Sequence, residues 1–297
     1  MNYRVLNKLT SLYFVAVMAI GVIYLALIWW VFVKTVPGTT MLLIYFLDSK
    51  RYGYDLASIG DMPWLWASLG LWLLSLVWLW KALVAGIKTV RKIMSTEKYV
   101  NGLKLLSRTG NKVRFDSASG EIFTAGMLHP TIYLASGLNK THSNREIQAM
   151  IAHEENHVRM KDPLRTTLAM MVEKGLPSFP MKEKMFRYFM TLTELCADKS
   201  AEESLADGLP LITALYKKLQ LSNRSLSAGI NYFSSQSERI GILVGKKKLN
   251  WGMNMRLTSG VMVGLLVFTY VIIKSNFYSC PHLSLCLSAL TSVLKIH

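Results

Sequence analysis

The chain has 297 residues, 52% of them hydrophobic and only 18% charged, values respectively high and low for a soluble protein. The formal charge is +16, from 34 Lys and Arg against 18 Asp and Glu. No nucleic acid is expected as a partner, because no helix-turn-helix or zinc-finger spacing accompanies the basic excess. Much of that charge flanks apolar runs, where attraction to anionic lipid headgroups explains it.

Residues 9–33 carry no charge and are long enough to cross a bilayer core of roughly 30 Å as a helix. The run is too long for a signal-peptide core and lacks a small-residue cleavage site, so it reads as a permanent anchor. A second span, rich in Trp and Leu, is expected at about 62–87, after a short loop outside the membrane. A third, at about 257–274, is flanked by Arg256 and Lys274, whose long side chains can reach outward to complete it. The second span is followed by Lys88, Arg91, Lys92 and Lys98, and the third is preceded by Lys246, Lys247 and Lys248. The positive-inside rule then puts the N-terminus and residues 88–256 in the cytoplasm and the short tail outside. Residues 88–256 hold 26 Lys and Arg against 15 Asp and Glu. Cys280 and Cys286 fall on the outer side, where a disulfide is permitted.

Residues 88–110 read as a basic helical exit from the membrane, ending near Gly110. Over 111–137, polar and apolar residues alternate around Val113, Phe115, Ile132 and Leu134, with Gly120, Gly126, Pro130 and Gly137 as turns. This predicts a small sheet of two to four strands. Ser143 followed by Glu146 fits a capping box that opens a helix over about 144–161, with Pro163 marking its end. Residues 164–180 are amphipathic to apolar and suit either a core helix or one lying on the membrane. Further helices are expected at about 181–205 and 210–221. The fold class is therefore α+β and multi-pass, a mostly helical domain with a small sheet.

His153 and His157 lie four apart on the 144–161 helix, so both imidazoles share one face and can bind one metal ion. Glu154 then sits beside that ion, where it can take a proton from bound water, the H-E-x-x-H arrangement of zinc peptidases. A hydrolytic zinc needs a third protein ligand, and Glu194 supplies a candidate. Asp198, four residues on, can accept from a liganding histidine's other ring nitrogen. Small Ala197 and Ala201 would let the two helices approach closely. Cys196 is about 200° around the helix from Glu194 and reads as a buried core residue. His129 and His142 are weaker candidates for stabilising an oxyanion. Taken together these residues predict one Zn2+ per chain and a protein or peptide substrate. The strand at Ile132, Tyr133 and Leu134, just before the zinc helix, is expected to offer its edge to an extended substrate backbone.

The run from Phe123 to Leu138, the stretch His153 to Pro163 (HEENHVRMKDP) and Glu194 to Asp198 with Ala201 together resemble the BlaR/MecR-type membrane metallopeptidases. Glu238, Arg239 and Ile240 before the last span are also similar to that family. The resemblance covers about residues 90–275 and implies a zincin-like endopeptidase on the cytoplasmic side of a bacterial cell membrane, acting in regulatory signalling. Two features depart from it. Glu155 and Asn156 stand where the family has apolar or small residues, and Glu155 adds a carboxylate near the site. Only 23 residues follow Lys274, short of a penicillin-binding sensor domain, and the Ser-x-x-Lys at Ser95 to Lys98 lies on the other side of the membrane. The HtpX and prenyl-protein proteases share both metal motifs but carry further spans after the zinc helix. A non-catalytic signalling scaffold would have no use for the complete ligand and base set.

Overall fold

The computed structural model describes residues 2–52, 63–177, 182–224 and 260. The elements run in the order α1 (Tyr3–Tyr52), α2 (Pro63–Asn101), β1 (Leu105–Thr109), β2 (Lys112–Phe115), β3 (Ile122–Ala125), β4 (Thr131–Ala135), α3 (Leu138–Thr141), α4 (Asn144–Met160), α5 (Asp162–Gly175), α6 (Lys182–Leu205) and α7 (Leu209–Arg224). The described residues divide between two compact units. One is drawn from residues 2–18, 86–173 and 182–224, the other from residues 19–52, 63–85 and 174–177. The expected third span and the Glu238 to Ile240 segment lie outside the described residues, Gly260 excepted, as do Cys280 and Cys286.

The stretches Tyr3–Leu47 and Leu65–Asn101 are long and apolar enough to cross a membrane. Only 22% and 11% of their most apolar windows are buried, whereas a core helix would bury most of its apolar surface. Leu25, Trp29, Leu43, Leu74, Val77 and Trp80 all stand exposed. This is the pattern of a membrane-associated chain. In the second unit Phe32 of α1 stacks on Trp72 of α2 with ring centroids 5.9 Å apart.

The first helix does not stop at residue 33. It continues through Pro37 to Tyr52, 50 residues in all, or about 75 Å. Proline removes one helix donor, and around it threonine hydroxyls bond main-chain carbonyls: Thr35 Oγ1 donates to Val31 O, Thr39 to Thr35 O and Thr40 to Val36 O. Helix α2 ends at Asn101 rather than near Gly110, because Leu105–Thr109 leaves it to form β1. A two-residue turn with Gly110 at φ 61° joins β1 to β2, a hairpin geometry that glycine at the first turn position permits.

The sheet has the order β1-β2-β4-β3. Strands β1 and β2 are antiparallel, β2 and β4 parallel, and β3 and β4 antiparallel with Phe123 opposite Tyr133. The tight β3–β4 connection requires Gly126, at φ 102°, since a Cβ there would meet the His129 carbonyl oxygen at 2.7 Å. Ile122, Ile132 and Leu134 of the sheet pack with Leu138, Met150 of α4 and Ala214 of α7 to form the core beneath the site.

Candidate metal centre

Helix α4 starts where the sequence places it. Ser143 Oγ accepts from Glu146 N–H, and Ser143 N–H donates to Glu146 Oε2 at 2.9 Å, so both halves of the capping box are present. Glu146 is buried. Burial alone would raise its pKa, but the Lys217 ammonium at 2.7 Å and the Ser143 amide outweigh that and hold it below the usual range. The same ion pair ties α7 to the start of α4.

At its other end α4 closes on Lys161, in the left-handed region at φ 52°. That turn starts α5 at Asp162 and swings the Asp162 carboxylate back against α4. Its Oδ2 lies 2.8 Å from His157 Nδ1, and its Oδ1 accepts from Arg165 Nη1 at 3.2 Å. Asp162 is thus a functional partner that the sequence pattern did not single out.

His153 and His157 face each other one turn apart, with Nε2 to Nε2 at 3.0 Å. Glu194 of α6 completes the group, Oε2 3.7 Å from His153 Nε2 and Oε1 3.8 Å from His157 Nε2. These three residues are the metal-capable cluster among the described residues. Asp198 is fully buried, and its Oδ1 lies 2.9 Å from His153 Nδ1, an ion-pair distance whose angle falls outside hydrogen-bond geometry. Ala197 and Ala201 are fully buried as well, which suits the close α4–α6 approach.

The donor set fits zinc. Tetrahedral bonds of 2.0–2.1 Å require ligand atoms about 3.4 Å apart; the two Nε2 atoms lie 3.0 Å apart, and one ligand atom from each of the three residues falls within 4.8 Å of the others. With each Nδ1 turned to a carboxylate, the two Nε2 lone pairs point at one another and repel unless a proton or cation lies between them. For His157 burial opposes the charged form, but the Asp162 hydrogen bond and the nearby Glu194 and Glu154 prevail, raising its pKa to about 9.

Glu154 is held at the mouth of the cluster by Thr124 of β3, whose hydroxyl donates to Glu154 Oε2 at 2.6 Å. Glu155 does not enter the site: it pairs with Lys112 of β2 at 2.6 Å. Asn156 is buried on the far side of α4, where its Oδ1 accepts from Tyr3 Oη at 3.0 Å and Arg159 Nη2 at 2.8 Å. Arg159 also donates to Tyr3 Oη and Ser200 Oγ. The polar middle of the pentapeptide therefore serves packing on both flanks rather than the metal. Cys196 is buried and outside the cluster, and burial pushes its thiol up to about 11.

A cavity of about 320 Å³ opens over the cluster, walled by β3, α4, α5, α6 and α7. The substrate edge expected at Ile132, Tyr133 and Leu134 is not free, because β4 is paired on both sides. The strand that borders the cavity is β3, through Ile122, Phe123 and Thr124, and it is the outer strand on that side of the sheet. His129 is exposed on the β3–β4 turn and His142 is buried beside the α4 cap, with neither lining the cavity.

Residues 112–247 match the model of Peptidase family M48, a stretch that begins at β2 and contains His153, Glu154, His157, Glu194 and Asp198. No curated protein matches the chain. That stretch is just under half of the chain, and its similarity to Peptidase family M48 indicates a metalloprotease.

Proposed function

We propose that the protein is a membrane-embedded zinc endopeptidase that cuts a cytoplasmic or membrane-proximal protein. The observation that carries this reading is the convergence of His153, His157 and Glu194, one ligand atom from each lying within 4.8 Å of the others, with Glu154 beside them in a cavity. Zinc bound there would polarise the scissile carbonyl and lower the pKa of its water. Glu154 takes the proton of the attacking water and passes it to the leaving amine. Thr124 occupies one carboxylate oxygen of Glu154 and so aims the other. Asp162 keeps the His157 imidazole proton on Nδ1, leaving Nε2 for the metal, and the Asp198 carboxylate, 2.9 Å from His153 Nδ1, favours the same tautomer by charge. The outer strand β3 aligns the substrate backbone by strand addition.

The basic residues after the second span support a cytoplasmic active site. A regulatory role of the BlaR/MecR type is favoured over HtpX-like quality control by the length of α5. Its 14 residues reach about 21 Å, short of a bilayer core, so it does not supply the further span that the HtpX type carries after its zinc helix. The test is Glu154→Gln in the full chain. Cleavage should fall by about 10²–10⁴-fold with zinc retained, and the variant should hold its substrate for identification. Undiminished cleavage would remove the assignment.

A further inference from the structure

The cavity is lined by one lysine, a cationic group that the catalytic scheme does not use. Helix α7 presents Leu211, Ala214, Leu215 and Lys218 to it, the i, i+3, i+4, i+7 spacing of a single helix face. That face grades from core to solvent. Leu211 and Ala214 are 3% and 2% exposed, Leu215 is half-buried and Lys218 is open to solvent. Ile122 of β3 and Met150 of α4 border the same space, so the apolar floor ends at a single ammonium. Lys218 is the one Lys or Arg among the cavity-lining residues. The carboxylates there have other tasks: Asp162 is engaged by His157 and Arg165, Glu154 by Thr124, and Glu194 faces both histidines. Among the described residues Lys218 joins no ion pair or hydrogen bond, while its neighbour Lys217 is held by Glu146 at 2.7 Å and by the Thr141 carbonyl at 3.4 Å. Lys217 anchors the helix, and Lys218 is left to face the cavity.

We propose that Lys218 is a specificity residue that meets a carboxylate of the substrate, next to an apolar side chain seated against Ile122, Met150, Leu211 and Leu215. The inference rests on the peptidase reading and adds a substrate class to it: segments in which a large apolar residue adjoins an acidic one or a free C-terminus. A cavity of about 320 Å³ lies at the small end of ligand pockets, roughly 300–1,000 Å³, which suits one bulky side chain with its neighbour. An exposed ion pair is worth about 0.2–1 kcal/mol, so the preference should be modest, at most roughly fivefold.

The test uses the detergent-purified full chain and synthetic peptides with one fixed Leu, its neighbours being Glu, Gln or Lys. A second set ends directly after the Leu as either the acid or the amide. The wild type should cleave the Glu peptides faster than the Gln peptides if an acidic side chain is read, or the free acid faster than the amide if a C-terminus is read. Lys218→Glu should abolish that preference and favour Lys instead, a change of about tenfold in the Glu-to-Lys ratio, while Lys140→Glu, an exposed charge outside the cavity, should leave it unchanged. The same peptides are also bound to the Glu154→Gln protein by fluorescence anisotropy, with and without Lys218→Glu. Loss of the binding preference on reversing Lys218 supports the proposal even if no peptide is cut, in which case the peptidase reading alone fails. Equal handling of Glu and Gln and of acid and amide in both assays, or a preference that survives Lys218→Glu, overturns it.

Discussion

Asp162→Asn probes the metal site through a residue that does not touch the metal. The Asp162 carboxylate faces two donors, His157 Nδ1 at 2.8 Å and Arg165 Nη1 at 3.2 Å. An amide offers one acceptor and one donor, so one of those contacts must go. In the metal-free protein His157 has its pKa raised to about 9, so zinc must displace a proton wherever the pH is lower. At pH 7 this weakens apparent zinc affinity about 100-fold relative to the plateau, or about 2.7 kcal/mol. Affinity of the wild type should therefore climb about tenfold per pH unit up to about pH 9 and level off above it. In the variant the His157 pKa falls back towards its ordinary range, and the climb should end near pH 7. On the high-pH plateau the variant should bind zinc about 10–100-fold more weakly, having lost the carboxylate that orients His157. Near pH 6–7 relief from proton competition offsets that loss and the two curves approach one another. The assay is competition against a chelator of known affinity across pH 6–10, with thermal melts of the zinc-loaded proteins to confirm folding. Two curves of the same shape, separated by a constant factor at every pH, would refute the role given to Asp162.

Two further outcomes are expected. Thr124→Val deletes the 2.6 Å hydrogen bond to Glu154 and should lower kcat about tenfold with zinc content unchanged, whereas Thr124→Ser should restore most of it. Equal loss in both variants would mean the threonine methyl matters rather than the hydroxyl. Tyr3→Phe removes the donor to Asn156 Oδ1 and should destabilise the protein by about 1 kcal/mol, read as a lower melting temperature, with a smaller change in the Asn156→Ala background, where that partner is already gone.

The sequence carried those parts of the site that depend on local helical period. His153 with His157, Glu194 with Asp198, and Ser143 with Glu146 each lie within four residues, and a helix fixes which of them share a face. The parts it did not carry depend on turns and strand order. Asp162 reaches His157 only because Lys161 adopts a left-handed conformation, and nothing in a lysine announces that. Thr124 and Glu154 are 30 residues apart and meet through the packing of β3 on α4. Position in the chain pointed to β4 as the free edge, but the parallel pairing of β2 with β4 puts it inside the sheet and leaves β3 outside. Glu155 and Asn156 looked anomalous because their partners, Lys112 and Tyr3, are distant in the sequence. The passage of α1 through Pro37 likewise runs against the usual reading of proline as a stop.

The central claim is that His153, His157 and Glu194 hold one zinc ion that peptide hydrolysis requires. The most direct measurement strips the purified full chain with a chelator and returns zinc in graded amounts while cleavage of a peptide substrate is followed. The account predicts that activity disappears on stripping and returns in proportion to zinc, saturating at one equivalent per chain, with no recovery in Glu194→Ala at the same zinc concentration. Cleavage that persists in the stripped protein, or full recovery in the Glu194 variant, would contradict it.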